Sequence, residues 1–428
     1  MEKTALVLLL IVTFTVSGIT VISSARNVGL KSIYSRATNF AVSFTVPFTA
    51  SVFFKDSVTE ISLKKAYKES ENSNRRKRGE KVKVLTVPGH DAQFSGTEFN
   101  GLKEVELNME LGEKLYQLLK SEPSLDVYLS QTKGGYDPRL LTYFGENRDS
   151  ILEFIEKHKG VMENFVRAGE IQRVVNVKHN PAPSEMVLRL FGINKWANEN
   201  GMDVVIHIHF NDYPGRRKDR EEKYSGFSIY VPENQYSNAK GSKSVAKSIY
   251  QRLAKLYPQS NLAIEDDGVI EDQELIAIGA NNTLDGAGML IEYGYIYEPL
   301  FSNPSLRDTV TSDLALQTFL GIMDFFGESP TKAVGGEHQT NYVPYDWQED
   351  LDTGNEADAD VLSLQAALVL EGVYPPQGET KNDCPLSGYF GQCTKNSVKA
   401  FQEKHEISPA EGFVGEKTRA KLNELFGE

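Results

Sequence analysis

Cysteine is almost missing from this 428-residue chain, which holds two, Cys384 and Cys393. That excludes a disulfide scaffold and a cysteine-rich zinc ribbon, and the spacing is too wide for a redox CxxC. The pair can close one small loop, given an oxidising compartment. Positive charge is also short: 46 Lys and Arg stand against 59 Asp and Glu, a net −13. Binding to a nucleic-acid backbone needs a dense cationic field, so it is excluded as the main role. Histidine is sparse, seven in all and scattered apart from His207 and His209. Any metal site must therefore be assembled from distant parts of the chain. What remains is ordinary, with 40% hydrophobic and 25% charged residues, which rules out a disordered or fibrous chain. The length allows two or three domains.

Charge is absent from Thr4 to Ala25, between Lys3 and Arg26, and this run is almost continuously apolar. One reading is a secretory signal peptide cut near Ser23-Ser24-Ala25. The other is an uncleaved membrane anchor, since a span needs about 20 apolar residues. Either implies export to the cell envelope or beyond, with membrane contact only if the segment is retained. Residues 26–80 read as an exported linker region. Within it Phe40, Val42, Phe44, Val46 and Phe48 alternate with smaller or polar residues, a period of two that indicates a strand rather than a second span. Arg75-Arg76-Lys77-Arg78 ends the region. Such a run is usually exposed linker; the sharper alternatives are an anionic-surface contact or a processing site.

From residue 81 to 328 strands alternate with helices. Residues 81–87, 126–130, 203–210 and 288–293 read as strands. Residues 103–120, 149–158, 185–198, 244–256 and 313–326 read as helices. That alternation predicts an α/β domain with a mainly parallel sheet. Residues 329–360 hold no helical or strand period, and from Glu328 to Asp360 there are nine acidic residues and one basic one. The expectation is an acidic flexible linker. A compact unit follows at 361–428. In it Gly388-Tyr389-Phe390-Gly391-x-x-Thr394 recurs as Gly412-Phe413-Val414-Gly415-x-x-Thr418, each before a helical stretch. A turn feeding a threonine near a helix start is architecture rather than active-site chemistry.

Four residues in the α/β domain share one property: His90, Glu104, His209 and Glu292 each lie where a strand ends or a helix begins. Ligands of open α/β sheets bind beyond the carboxyl ends of strands. Two imidazoles and a carboxylate make a normal catalytic zinc set, and a further carboxylate can take a proton from water. Each residue also has a plainer explanation. A histidine after Pro-Gly is commonly a turn residue, and a glutamate at a helix start usually serves the helix dipole. Glu292, inside Met-Leu-Ile-Glu-Tyr, is harder to dismiss, because burying an unpaired carboxylate is costly. His207 and His209 point to one face of their strand, so spacing alone leaves both open as ligands.

Val87-Pro88-Gly89-His90, followed by Gly101-Leu102-Lys103-Glu104, resembles the opening of the zinc-dependent N-acetylmuramoyl-L-alanine amidases. Residues 204–211, ending His209-Phe210-Asn211, are similar to that family's second metal strand. Met289-Leu290-Ile291-Glu292-Tyr293-Gly294 is similar to its late Leu-Val-Glu strand. The resemblance implies a twisted, mainly parallel six-stranded sheet flanked by helices. It also implies zinc on His90, Glu104 and His209, Glu292 as general base, and Asn211 in substrate binding. The family usually carries Ser at position 207, which favours His209 as the ligand. The implied reaction is hydrolysis of the amide between the lactyl group of N-acetylmuramic acid and L-alanine in peptidoglycan. The chain departs from the pattern at Val87, where the family has Asp, at Asp91-Ala92, where it has Gly-Gly, and in extra residues from about 134 to 180. That insert is either a lid or docking segment or a surface elaboration.

The last unit resembles the small all-α peptidoglycan-binding domain often joined to these amidases, through Leu364-Gln365-x-x-Leu368 and Val398-x-x-Phe401-Gln402. A tethered module of that kind raises local concentration on the polymer without touching the chemistry. Cys384 and Cys393 are an addition to its pattern, and the bend-forming Pro385, Gly388 and Gly391 between them predict a disulfide. The expected partner is peptidoglycan, with a protein activator left open. Two other readings stand beside the amidase: an inactive wall-binding or activator protein, and a zinc peptidase acting within the stem peptide.

Overall fold

A computed structural model describes residues 57–71, 81–174, 182–213, 215–278, 286–328, 338–354 and 356–427. The apolar run at 4–25, the alternating stretch at 39–48 and the basic run at 75–78 lie outside the described residues. No described helix is long and apolar enough to cross a membrane.

Six strands form one sheet: β1 (Val82–Pro88), β2 (Leu125–Leu129), β3 (Val204–Asn211), β4 (Ser228–Pro232), β5 (Val269–Asp272) and β6 (Ala287–Tyr295). Their order is β2-β1-β3-β6-β4-β5, and every neighbouring pair is parallel except β6 and β4. The central β3 is buried at Val204, Val205, Ile206, His207 and Ile208, as a strand covered on both faces should be. Two strands, β4 and β5, were not legible beforehand, because four or five residues are too few to establish a period.

Helices cover both faces: α1 (Glu60–Glu71), α2 (Glu104–Ser121), α3 (Pro138–Glu146), α4 (Arg148–Ala168), α5 (Ser184–Glu199), α6 (Ala239–Leu256) and α7 (Pro304–Phe326). Leu107, Leu111, Leu115 and Leu119 form one fully buried stripe on α2. Helix α7 starts at Pro304, well before the expected 313. Asn303 caps it by accepting from Ser305 N, with proline at the first helical position. The stretch expected as exposed linker contains α1, a correction with a simple cause. Val58, Leu63 and Tyr67 are buried, and Tyr67 stacks on Phe326 at 4.3 Å, so a polar helix carries one apolar stripe.

The insert is also ordered in its described part. Ile151 and Ile155 of α4 pack on Leu188 and Phe191 of α5, making these helices a wall beside the sheet.

The acidic segment is a second correction. Its described part, 338–354 and 356–358, is a strap that buries Tyr342, Val343, Trp347 and Leu351. Polar groups pin it: Asp313 accepts from Thr340 Oγ1 (2.6 Å), Asn341 N (2.8 Å) and Tyr257 OH (2.8 Å), and Trp347 Nε1 donates to Asp360 O (2.9 Å). Acidic composition hid four apolar anchors spaced without helical or strand period. The strap leads into α8 (Ala359–Leu370), α9 (Gln392–Lys404) and α10 (Glu416–Phe426), whose Leu364, Val398 and Leu422, with Phe390 in the turn before α9, belong to the same apolar cluster as Leu253 and Leu320. Cys384 and Cys393 are disulfide-bonded.

Candidate metal centre

Three adjacent strands, β1, β3 and β6, end together. His90 follows β1, while His209 on β3 lies directly opposite Glu292 on β6 in the sheet register. Glu104 is the first residue of α2, where the unpaired N–H groups favour a carboxylate. It is 4% exposed, and its two oxygens reach two imidazoles: Oε2 is 3.0 Å from His90 Nε2 and Oε1 is 3.1 Å from His209 Nδ1. One donor atom from each of the three lies within 4.8 Å of the others. Ligands held about 2 Å from a tetrahedral ion sit roughly 3.3 Å apart, so this set needs only a small inward shift to hold a metal. Glycines make the room: a Cβ on Gly89 would strike the His209 ring, and one on Gly96 would strike both Glu104 and His90.

His90 sits at φ 65°, a left-handed conformation uncommon for a residue other than glycine. The turn is fastened through its carbonyls. Gln131 Nε2 donates to Pro88 O (2.6 Å) and His90 O (2.5 Å), and Asn108 Nδ2 donates to Gly89 O (3.0 Å). Asp91 is buried, accepts from Gln93 N and Phe94 N, pairs with Arg189 of α5 and receives Tyr136 OH at 3.1 Å. Val87 itself is buried in the core. The turn is therefore held by Gln131 and Asn108 through its carbonyls, with Asp91 bracing the loop that follows His90. Asn108, one turn beyond Glu104 on α2, was within reach of sequence reasoning. Gln131 gave no signal.

Electrostatics separate the four groups. Burial would raise the Glu104 carboxyl, but His90 and His209 on either side hold it well below the usual range. For His90 burial lowers the pKa and the neighbouring carboxylate more than offsets it, so the net direction is up. His209 moves down, because burial outweighs its bond to Glu104. Glu292 is pushed well above the ordinary carboxylate value by burial, by Glu104 and by Glu265, and its Oε2 is buried without a partner. His207 is fully buried two residues deeper than His209, neither ring nitrogen has a partner, and burial lowers it to about 3. It stands outside the three-residue cluster.

His90, Glu104, His209 and Glu292 all line a cavity of about 470 Å³, with Asn211, Asp212, Tyr213 and Arg216 around its mouth. Asn211 donates through Nδ2 to Glu265 Oε1 at 3.0 Å. Glu265, which sequence reasoning missed, is buried and also accepts from Tyr230 OH at 2.6 Å. On the far side of His90 and Glu104 a larger groove of about 890 Å³ runs under α3 and α5, from Asp91 and Val105 past Met109, Leu141, Phe144 and Arg189.

Residues 84–304, just over half of the chain, match the N-acetylmuramoyl-L-alanine amidase family model. The chain belongs to that family. Residues 357–422 match a peptidoglycan-binding domain model. The chain is similar to the N-acetylmuramoyl-L-alanine amidase CwlL of Bacillus licheniformis, 41% identical over 66 residues, which are 15% of this chain and 18% of the relative. It thus spans under a fifth of the length of that relative. Solved structures like it include an N-acetylmuramoyl-L-alanine amidase of Clostridium difficile 630 (17% identity, 58% of this chain, 97% of that chain, TM-score 0.35). Another is the Ami1 amidase of Mycobacterium smegmatis (16% identity, 57% and 97%, TM-score 0.35).

Proposed function

We propose that this amidase-family chain hydrolyses the amide between the lactyl group of N-acetylmuramic acid and L-alanine in peptidoglycan, using zinc held by His90, Glu104 and His209. The observation that carries the reading is the convergence of those three donors with an unpartnered, buried glutamate oxygen in one cavity. A buried carboxylate atom without a partner is costly unless something else occupies the site. Two histidines and a glutamate are zinc donors, and the ion would supply Lewis acidity toward the scissile carbonyl and a bound water.

The remaining steps belong to the chain's own residues. Glu292 Oε takes a proton from the attacking water and returns it to the alanine nitrogen as the amide breaks. Burial, Glu104 and Glu265 raise its affinity for a proton, the direction that lets it hold the proton between the two halves of that exchange. Gln131 and Asn108 hold the His90 turn, so the ligand is positioned before substrate arrives. Asn211, fixed by Glu265, faces the bound substrate at the cavity rim. The C-terminal module supplies affinity for the polymer, and the disulfide at 384–393 accords with export to the cell envelope.

Purified peptidoglycan treated with the protein should lose turbidity, and a chelator should abolish the loss. Mass analysis should find free lactyl carboxylates and new L-alanine amino termini. New termini elsewhere in the stem peptide would make it a peptidase, and no release at all would make it a wall-binding protein.

A further inference from the structure

In the proposed substrate the sugar ring is three bonds from the scissile carbonyl, through the lactyl CH and the ether oxygen. With that carbonyl among His90, Glu104, His209 and Glu292, the ring must fall on the rim of the same cavity. A pyranose presents one face of C–H bonds, and its natural partner is a flat, exposed π-surface. Among the described residues lining this cavity two are aromatic carbon rings, Phe210 and Tyr213. Phe210 is 2% exposed and packs against Phe301 and Tyr293, whereas Tyr213 is 36% exposed.

The Tyr213 ring is held in place from behind. It stacks on Tyr224 with centroids 4.8 Å apart and planes 27° apart, and Tyr224 lies over Tyr295 at 6.3 Å and 27°. Tyr295 is fully buried in β6, three residues beyond Glu292, and Tyr297 OH fixes Tyr224 O at 3.0 Å. The backbone beneath is equally firm. Tyr213 N donates to Asp212 Oδ1 (2.8 Å), and Asp212 is gripped by Thr97 and by Arg216. The Arg216 guanidinium itself lies over both Phe99 (5.5 Å) and Tyr297 (5.1 Å). A three-ring stack that runs from the catalytic strand and ends on an open face beside the donors costs little entropy to use, since its geometry exists before binding.

We propose that Tyr213 is the platform for the muramoyl sugar ring, so that the glycan leaves the centre over Tyr213 and the stem peptide on the opposite side, past Asp91. This rests on the amide-hydrolase reading above. The assignment can be tested with the zinc-loaded full chain and two substrates that share the scissile bond: N-acetylmuramoyl-L-alanyl-D-isoglutamine and N-(D-lactoyl)-L-alanyl-D-isoglutamine, which lacks the ring. Tyr213→Ala should lower the wild-type preference for the sugar-bearing substrate, as a ratio of kcat/KM, about tenfold and through KM, while Tyr213→Phe and Tyr213→Trp keep it. A preference unchanged in Tyr213→Ala, or one that changes equally in Tyr213→Phe, would overturn the platform. If the wild type cleaves neither substrate, the amide-hydrolase reading is what fails. Calorimetry with N-acetylmuramic acid then decides the platform separately: weaker binding to Tyr213→Ala supports it, and equal binding overturns it.

Discussion

Two regions of this chain bury polar side chains beside glycine turns, and they treat them in opposite ways. In the C-terminal module Gln365 Nε2 donates to Tyr389 O (3.0 Å) and Thr394 Oγ1 (2.9 Å), while its Oε1 accepts from Ser387 N and Gly388 N. The second repeat copies the first: Gln402 donates to Phe413 O (2.7 Å) and Thr418 Oγ1 (3.0 Å) and accepts from Gly412 N. Every polar atom of both amides is satisfied, so the repeat is architecture. At the candidate metal centre the accounting is left open. Glu292 Oε2 has no partner, and three donor groups converge on one point. Buried polarity by itself says little about function, and whether the fold closes its hydrogen bonds says much more.

The sharpest way to break this contrast is Glu292→Gln. The amide keeps the shape but cannot accept a proton, so activity on a muropeptide should fall at least ~10³-fold with metal content unchanged. An active variant would remove Glu292 from the chemistry.

Next in size is the strap that joins the two regions. Trp347 is 1% exposed inside the shared core, and Trp347→Ala should cost about 3–5 kcal/mol in denaturant unfolding. A related expectation corrects the picture of a flexibly tethered module. Because residues 361–428 complete that core, their removal should weaken the catalytic part even toward small soluble substrates. Truncated protein with wild-type stability would restore the tether.

The repeat provides a smaller effect. Gln402→Ala should cost about 2–3 kcal/mol by stranding Gly412 N and Thr418, with kcat per folded molecule unchanged. A selective loss of kcat would show that the module does more than build itself.

Smallest is a pH effect away from the centre. Burial raises the Glu298 carboxyl to about 7 although it accepts from Tyr295 N and Gly226 N. The folded chain therefore holds this proton more tightly than the unfolded one, whose carboxyl titrates near 4.5. The favourable contribution is complete below pH 4.5 and disappears as pH rises to about 7. Glu298→Gln, which keeps both acceptor bonds, should gain ~1–2 kcal/mol relative to wild type between pH 5 and pH 8. A constant difference across that range would contradict the shift.

Much of this was legible in the sequence because it depends on local period. The stripe of α2 and the apolar run of β3 announced themselves, and strand ends pointed to His90, Glu104, His209 and Glu292. What stayed hidden depends on contacts across the chain. Gln131 reaches back 41 residues to the His90 carbonyl, and nothing near it marks that task. Asp91 reads as a departure from a glycine pattern until Arg189, 98 residues on, is seen beside it. The strap was misread because its charge is local and its anchoring is not. Tyr224 gains its meaning only from the rings stacked on either side.

Metal content measured on His209→Ala and His207→Ala tests the central claim most directly, because the two residues share a strand face and differ in where they stand. Wild type should hold about one zinc per chain. His207→Ala should keep it, having removed a buried imidazole outside the donor cluster, whereas His209→Ala should lose it. Zinc retained by His209→Ala and lost from His207→Ala would contradict the assignment.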